Sequence, residues 1–473
     1  MHRNYLKRTK IVATISSLNC GEELIRNLFE AGMNVARLNT AHMTPDEAAV
    51  VVKSIRSVSD QIAILIDTKG PNIRSGSMEP LAVDEGEEVQ VLRNTEGASG
   101  KFFQVNYSRF IDEVTPGEHI LINDGEVDLE IIRKEREMLV CRTLNSGVIR
   151  QYKSINVPGA KLRAPALTER DREFIKFAID NNLDFIAHSF VRNRDDIMAV
   201  QSILDTADSP IHIIAKIENR EGVDHLDSIM DACAGIMVAR GDLGIEIPLE
   251  EVPIIQKRII RECMTRRKVV ITATQMLQSM TEHQRPTRAE VSDVANAVFD
   301  GTDAVMLSEE TAQGKYPVKA VQMMSRIIRE TELMGNTHFV RPEKVYDAGE
   351  PITSYMVKMA IASGDSLPVK AIICNTASGN SCRTIAAYRA PILVFALSYR
   401  PIVVRQLALS YGVYAGGSEY LDSPDKLIKH SVGQLVAEEK ITKNDLVVLV
   451  GKHLAHGEAS LCGIFRAGAV LED

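Results

Sequence analysis

Two stretches of sequence give the clearest indication of the fold: Ile-His-Ile-Ile-Ala-Lys-Ile-Glu, residues 211–218, and Gly-Ile-Met-Val-Ala-Arg-Gly-Asp, residues 235–242. Each is an apolar run that ends in charged residues, which is typical of a parallel strand covered on both faces. Six further runs have this form, and a helix-like stretch follows each of them. They are residues 10–15, 34–40, 62–69, 184–190, 269–276 and 304–310. Eight βα units predict a closed (β/α)8 barrel, with a doubly wound open sheet as the weaker alternative.

Two further regions do not fit the barrel pattern. The spacing between Lys69 and Asp184 is too long for one helix, and residues 72–159 carry short alternating runs separated by turn signals. These runs predict an all-β domain inserted after the third strand. After Thr331 a polar stretch leads into new βα units, which predict a separate C-terminal α/β domain. The expected divisions are 1–70 with 161–335 for the barrel, 71–160 for the insert and 336–473 for the C-terminal domain.

Composition places the chain among soluble globular proteins. It has 473 residues, 45% apolar and 25% charged, and a formal charge of −8 that argues against a general nucleic-acid binder. No signal-peptide core and no apolar stretch near 18 residues occurs, so a cytoplasmic protein with no membrane contact is expected. The 7 cysteines include no C-x-x-C pair, which favours reduced thiols.

Charged residues end the two quoted runs, where a parallel barrel places its active site. Two-residue alternation puts Lys216 and Glu218 on one side of their strand, where the pair must be compensated by each other, a metal or a charged ligand. Asp242 follows the next strand. Two carboxylates from adjacent strands suit Mg²⁺ or Mn²⁺ better than zinc.

Cationic side chains are predicted to converge on the same rim. They are Arg37, Lys69, Arg74 and Lys216. With a divalent ion they describe a site for a highly anionic, phosphorylated substrate. The sequence contains no Walker A motif and no G-x-G-x-x-G, so a P-loop or Rossmann nucleotide site is not supported. H-E-x-x-H and G-x-S-x-G are also absent, which argues against a zincin or a serine hydrolase.

A second candidate site lies in the C-terminal domain. The loop from Thr376 to Ser381, which contains Ser378, Gly379 and Asn380, follows a predicted strand and precedes a predicted helix. Hydroxyls and free N–H groups in such a loop can bind the phosphate of an effector. Helix capping explains Ser381 equally well, so both interpretations stay open.

The chain resembles the pyruvate kinase family over nearly its whole length. The motifs are Asn34-Val-Ala-Arg-Leu-Asn39, Asp67-Thr-Lys-Gly-Pro71 with Arg74, Ile214-Ala-Lys-Ile-Glu-Asn219, Met237-Val-Ala-Arg-Gly-Asp-Leu-Gly244, Thr272-Ala-Thr-Gln-Met276 and Arg285-Pro-Thr-Arg-Ala-Glu290. They occur in the family's order and on the corresponding barrel strands. The resemblance implies the same three-part architecture and the transfer of a phosphoryl group from phosphoenolpyruvate to ADP, giving ATP and pyruvate.

The resemblance also implies roles for the residues at the barrel mouth. Glu218 and Asp242 would hold Mg²⁺, or Mn²⁺, on the enolpyruvate. Lys216 would stabilise charge on the phosphoryl group in transfer, and Arg37 would bind that group as well. Backbone N–H groups of Gly241 and Asp242 would bind the substrate carboxylate. Thr274 would orient the water or relay that protonates the enolate.

Further family sites map onto this sequence with departures. The nucleotide side corresponds to Asn39, His42, Arg74, Asp124 and Lys153. The family's K⁺ site retains Asn39, Asp67 and Thr68, but Ala41 replaces a serine and removes one oxygen ligand, so K⁺ binding stays open.

The C-terminal domain departs from the family in another way. The loop from Thr376 to Ser381 resembles the family's sugar-phosphate effector site, but residues 452–458 lack the Trp and Arg that help to hold fructose 1,6-bisphosphate. That effector is therefore not assigned. The resemblance suggests a homotetramer.

Two other functions compete with a kinase. A Mg²⁺-dependent lyase or aldolase that handles a pyruvate enolate would explain Glu218, Asp242 and Gly241, but it would not explain the inserted domain. A catalytically dead regulatory protein predicts the loss of a core charge, whereas Arg37 and Lys216 are both present.

Overall fold

Eight parallel strands form a closed barrel, which confirms the predicted fold. The computed structural model describes residues 6–94, 99–334, 342, 345–346, 350–421, 423–452 and 459–471. Strands and helices are numbered in chain order. The barrel strands are β1 Lys10–Thr14, β2 Val35–Asn39, β3 Ala63–Asp67, β12 Phe185–His188, β13 His212–Ile217, β14 Gly235–Ala239, β15 Val269–Ala273 and β16 Ala304–Leu307. β16 pairs with β1 and closes the ring, so no edge strand remains.

Helices surround the barrel and cover its apolar outer face. They are α1 Glu22–Ala31, α2 Pro45–Val58, α4 Glu169–Asp180, α5 Arg194–Thr206, α6 Arg220–Asp224, α7 Leu226–Ala232, α8 Arg240–Glu246, α9 Val252–Thr265, α10 Arg288–Asp300, α11 Glu309–Ala312 and α12 Pro317–Leu333. Capping boxes at Thr44, Thr168 and Thr287 begin α2, α4 and α10. Each cap satisfies N–H groups that the first helical turn leaves free, so the local sequence determines where these three helices begin.

The insertion after β3 is the predicted all-β domain. It contains β4 Leu81–Val83, β5 Glu88–Leu92, β6 Phe102–Phe103, the short helix α3 Phe110–Glu113, β7 His119–Ile122, β8 Val127–Lys134, β9 Met138–Thr143, β10 Gly147–Ile149 and β11 Ile155–Asn156. β11, β7, β8, β9, β5 and β6 form one sheet in that order, and β10 pairs with β4. An apolar core of its own supports this domain.

The C-terminal domain is a five-stranded sheet with helices around it. Its elements are α13 Pro351–Ser366, β17 Val369–Asn375, α14 Asn380–Ala387, β18 Leu393–Ser398, α15 Pro401–Leu407, β19 Val413–Gly417, α16 Pro424–Ala437, β20 Leu446–Lys452 and β21 Ala459–Arg466. β17, β18 and β20 are predicted from their apolar runs, whereas β19 and β21 are not. Much of β19 is only partly buried, which leaves it without a long apolar run.

The C-terminal domain packs against the end of the barrel where the strands begin. Leu409 is fully buried in the same apolar cluster as the side chains inside the barrel. Arg405 Nε contacts Asp184 Oδ1 at 2.6 Å, and Arg389 Nη2 contacts Asp303 Oδ2 at 2.7 Å. Buried charge pairs and an apolar plug therefore hold the two domains together.

Two predictions concern residues outside those that the structure describes, and they stay predictions. One is the boundary between residues 335 and 336, and the other is the absence of an effector contact in the loop that contains residues 453–458. Within the part of the chain that the structure describes, no helix is long and apolar enough to cross a membrane.

Candidate active site

The candidate site lies at the end of the barrel opposite the C-terminal domain, where the parallel strands finish. Lys216 is the second-last residue of β13, and Glu218 is the first residue after that strand. Asp242 lies in the first turn of α8, which follows β14 directly. β13 and β14 are hydrogen-bonded neighbours, with Lys216 opposite Met237. The strand pairing therefore brings the three predicted residues to one place.

Lys216 is the centre of this group. Its Nζ lies 2.8 Å from Glu218 Oε1, 3.1 Å from Asp67 Oδ1 and 2.8 Å from Ser189 Oγ. Burial acts to lower the pKa of Lys216, but Asp67, Glu218 and Asp242 outweigh burial and raise it. The ammonium group is thus held charged and fixed in position, with only 9% of the residue exposed.

Asp67 connects Lys216 to Arg37. Arg37 Nε and Nη2 each lie 2.6 Å from Asp67 Oδ2, and Arg37 Nη1 donates to Thr14 Oγ1 at 2.9 Å. Burial opposes ionisation of Asp67, yet Lys216 and Arg37 lower its pKa. Asp67 is therefore the counter-ion that orients both cations. The sequence pattern does not predict this role, because the contact crosses three strands of the barrel.

Glu218 and Asp242 form a donor set that fits a divalent metal ion. Glu218 is 1% exposed, and burial together with the neighbouring Asp242 raises its pKa to about 7, against the opposing effect of Lys216. The Phe190 N–H donates to Glu218 Oε2 at 2.6 Å and fixes the carboxylate. The charge of Asp242 disfavours ionisation of Glu218, and a divalent ion that prefers oxygen ligands would relieve this repulsion.

Thr274 has an unusual backbone, with φ of 68° directly after β15. Its Oγ1 accepts from the Gly241 N–H at 2.8 Å and donates to Ala273 O at 2.7 Å. Arg240 donates to Ala273 O and to Thr274 O, and pairs with Asp293 at 2.8 Å. Arg240 therefore holds the strained turn, a positioning role that the sequence pattern does not reveal. The Gly241 N–H expected to bind a carboxylate is directed to Thr274 in this structure.

A cavity of about 370 Å³ separates the barrel mouth from the β domain. Arg74, Lys153 and Asp124 line it together with Asp242, so these three predicted nucleotide residues share a cavity with one of the two predicted metal ligands. Asn39 and His42 are not among the residues that line this cavity. Asn39 instead caps a short 3-10 helix, Thr40–His42, by accepting from the Ala41 N–H at 3.2 Å.

The predicted K⁺ ligands already make other contacts. Asn39 caps the short helix, and Asp67 binds Arg37 and Lys216. The carbonyl of Thr68 accepts from Ser189 Oγ at 2.6 Å. Because position 41 is alanine, no hydroxyl is available there to complete a set of oxygen ligands.

The loop 376–381 is well defined by its own hydrogen bonds. Gly379 has a φ of 82° and its N–H donates to Thr376 Oγ1 at 2.8 Å. Gly379 also occupies the N-cap of α14, so the explanation of Ser381 as a helix cap is wrong; Ser381 lies buried in the first turn. Ser378 and Asn380 flank the glycine on the loop, where the Ser378 carbonyl accepts from Arg383.

Comparisons with known proteins agree with this architecture. The family model described as pyruvate kinase, barrel domain, matches residues 6–321, and the pyruvate kinase alpha/beta domain model matches residues 354–465. A pyruvate kinase of Borreliella burgdorferi is 44% identical over 94% of this chain and 93% of its own length. One from Geobacillus stearothermophilus is 42% identical over 94% of this chain and 77% of its own.

Solved structures give the same answer. The crystal structure of a pyruvate kinase from Cryptosporidium parvum superposes with a TM-score of 0.90 at 34% identity, covering 98% of this chain and 96% of that one. The barrel with its buried lysine and paired carboxylates, the β domain above it and these likenesses make the protein a phosphotransferase. The chain belongs to the pyruvate kinase family. The lyase or aldolase alternative finds no support among these relatives.

Proposed function

We propose that this enzyme transfers the phosphoryl group of phosphoenolpyruvate to ADP and forms ATP and pyruvate, a reaction of glycolysis. The observation that carries the proposal is Lys216, charged and fixed between Asp67 and Glu218 at the mouth of the barrel. A buried ammonium group in a site closed on one side is suited to a transition state whose charge is spread over phosphoryl oxygens.

The reaction consists of two balanced steps. The bond between the phosphorus and the enol oxygen of phosphoenolpyruvate breaks, and a bond forms from phosphorus to a terminal oxygen of ADP. Lys216 and Arg37 bind the phosphoryl oxygens during this transfer, because both are preorganised by Asp67. The enolate that remains takes a proton at its methylene carbon and becomes pyruvate. Thr274 is proposed to orient the proton donor, since the strained backbone fixes its hydroxyl.

Glu218 and Asp242 are proposed to hold a Mg²⁺ ion, or Mn²⁺ in its place. The chemistry that a divalent ion supplies in such a site is the neutralisation of charge on the substrate oxygens. The support for this proposal is the burial of Glu218 and the effect of Asp242 on its pKa. The N–H groups of Gly241 and Asp242 are proposed to bind the substrate carboxylate, with Gly241 exchanging its bond to Thr274.

The nucleotide is proposed to bind in the cavity below the β domain. Arg74 and Lys153 bring positive charge to it, and Asp124 is suited to accept from ligand hydroxyls or to contact a nucleotide-bound cation. Asn39 and His42 are proposed as outer contacts of the same ligand. Closure of the β domain over the site would exclude water during transfer.

Three further properties are proposals that rest on the family. K⁺ is expected to bind weakly through Asn39, Asp67 and Thr68, because Ala41 supplies no ligand. A sugar phosphate is proposed as effector of the loop formed by Thr376, Ser378, Gly379, Asn380 and Ser381. A homotetramer in the cytoplasm is expected, and size-exclusion chromatography with light scattering tests the tetramer.

Coupled assays of both products test the reaction. Phosphoenolpyruvate and ADP with Mg²⁺ are expected to give pyruvate and ATP in equal amounts, in K⁺ and at a lower rate in tetramethylammonium. Pyruvate formed without ATP would favour a lyase. A protein that folds and binds phosphoenolpyruvate without any turnover would favour the regulatory alternative.

A further inference from the structure

A second cavity, of about 590 Å³, lies between the barrel and the C-terminal domain, far from the active site. Its barrel wall is the turn between α9 and β15, with Arg266, Arg267 and Lys268. Its other wall is α14, with Arg383 and Thr384. Because β15 begins at this turn, the cavity is at the end of the barrel where strands start, and the active site is at the other end. We call it the interdomain cavity.

Three of its four cations are not matched by carboxylates. Arg266 pairs with Asp227 at 2.7 Å and Asp231 at 3.1 Å. Arg267, Lys268 and Arg383 form no ion pair within the part of the chain that the structure describes, although each makes neutral hydrogen bonds. Asp231 and Glu350 also line the cavity, so its four cations face two carboxylates and its net charge is positive.

Arg383 is the cation that the C-terminal domain contributes to the cavity. Its Nη2 donates to Ser378 O at 2.6 Å and to Asn380 Oδ1 at 2.8 Å, whereas its Nη1 is buried and has no hydrogen-bond partner among the described residues. Burial and the neighbouring Arg267 lower the pKa of Arg383, against the opposing effects of Cys382 and Glu350. Nη1 packs beside Gly379, on the side of the loop 376–381, and the guanidinium has no carboxylate partner among the described residues although it lines the cavity. A charged group without a counter-ion favours the binding of an anion nearby.

On the barrel wall of the cavity, Arg267 occupies a backbone conformation that is unfavourable for a residue with a side chain. Arg267 has a φ of 58°, and its N–H donates to Met264 O at 3.2 Å at the end of α9. Glycine is the favoured residue at this position after a helix, because a side chain there is strained. An arginine here places a guanidinium at the cavity, where its Nη1 donates to Thr384 Oγ1 at 3.1 Å. The strain is accounted for if this charge has a function.

We propose that the interdomain cavity binds a small phosphorylated metabolite, whose phosphate dianion contacts Arg267, Lys268 and Arg383. The volume suits a small molecule rather than a macromolecule. Two guanidinium groups and one ammonium group match the charge and the oxygen geometry of a phosphate. Glu350, which accepts from Asn380 Nδ2 at 3.4 Å on the same cavity wall, is placed to accept from hydroxyls on the rest of the ligand.

Binding here joins two parts of the enzyme. Arg267 and Lys268 belong to the barrel, while Arg383 holds the carbonyl of Ser378 in the loop 376–381. A phosphate that engages all three cations stabilises the present arrangement of the two domains. By thermodynamic linkage, it also changes the affinity of the loop 376–381 for any ligand of its own.

Calorimetric titration of the full-length enzyme with inorganic phosphate tests the site. Saturating phosphoenolpyruvate and Mg²⁺ without ADP keep the active site occupied, and chloride holds the ionic strength constant. Arg267→Gly and Arg383→Gln are each expected to weaken phosphate binding about tenfold or more, because each removes a charged hydrogen-bond donor. Arg258→Gln is the matched control, since this exposed residue of α9 lies outside the cavity.

The two variants separate the cavity from the neighbouring loop. Arg267→Gly preserves the fold, because glycine is preferred at that φ, and it removes no contact of the loop 376–381. Weaker binding in both variants with an unchanged control supports the proposal. Weaker phosphate binding in Arg383→Gln alone would assign the phosphate to the loop 376–381. Equally weak binding in Arg258→Gln would show that phosphate responds only to the overall charge of the protein. Either result, or no binding to the wild-type enzyme at millimolar phosphate, overturns it.

Discussion

Lys216→Met is the substitution that tests the site most directly. The ammonium group of Lys216 contacts Asp67, Glu218 and Ser189, and none of these contacts is available to a thioether. Methionine has a similar length and fills the same space, so the barrel should fold. Asp67 retains its pairing with Arg37, which limits the cost in stability.

The expected loss in rate follows from the lost charge. A unit charge about 4 Å from the phosphoryl oxygens, at an effective dielectric constant near 20, contributes about 4 kcal/mol. Lost from the transition state alone, that energy lowers kcat by roughly a thousandfold. Binding of phosphoenolpyruvate in the ground state also uses Arg37 and the metal, so its KM is expected to change by less than about tenfold.

Steady-state measurement of kcat and KM with the coupled assay checks this prediction, and Mg²⁺ and phosphoenolpyruvate binding are measured separately by calorimetry. Lys53→Met, at an exposed position on α2, is the matched control and should behave as the wild-type enzyme does. Near-normal kcat in Lys216→Met would refute the assigned role. A rise in KM with unchanged kcat would mean that Lys216 binds substrate and transition state equally.

Three further substitutions test other parts of the structure. Ala41→Ser restores an oxygen beside Asn39 and should strengthen activation by K⁺ in the coupled assay; an unchanged K⁺ response would contradict the proposed cation site. Leu409→Ala opens a cavity at the base of the barrel and should lower the free energy of unfolding by about 2–5 kcal/mol in urea titrations, whereas Leu18→Ala at an exposed site should change little. Lys10→Met tests a buried titratable group, since burial lowers the pKa of Lys10 to about 7 from its ordinary 10.5. Between those values the unfolded chain binds more protons, so wild-type stability should rise relative to the variant by up to about 1.4 kcal/mol per pH unit from pH 7 upward. Parallel stability profiles would contradict the lowered pKa of Lys10.

Much of the fold is visible in the sequence, and the reason is local. A parallel strand buried on both faces needs an uninterrupted apolar run, so all eight barrel strands and β17, β18 and β20 are predictable. β19 is only partly covered, and its pattern does not stand out. Charges at strand ends likewise point to Lys216, Glu218 and Asp242 as candidate site residues, because a buried position rarely holds a charged side chain unless the charge is compensated.

The contacts between these residues follow only from the tertiary structure. Asp67 binds both Arg37 and Lys216, and Arg240 holds the turn at Thr274, across strands that are distant in sequence. Leu409 enters the base of a barrel whose strands lie hundreds of residues earlier. The strands and the charged residues at their ends are predictable from sequence, because hydrophobic periodicity and turn chemistry are local properties. Closure of the barrel and docking of the C-terminal domain determined their partners, because contacts between distant segments leave no spacing signal along the chain.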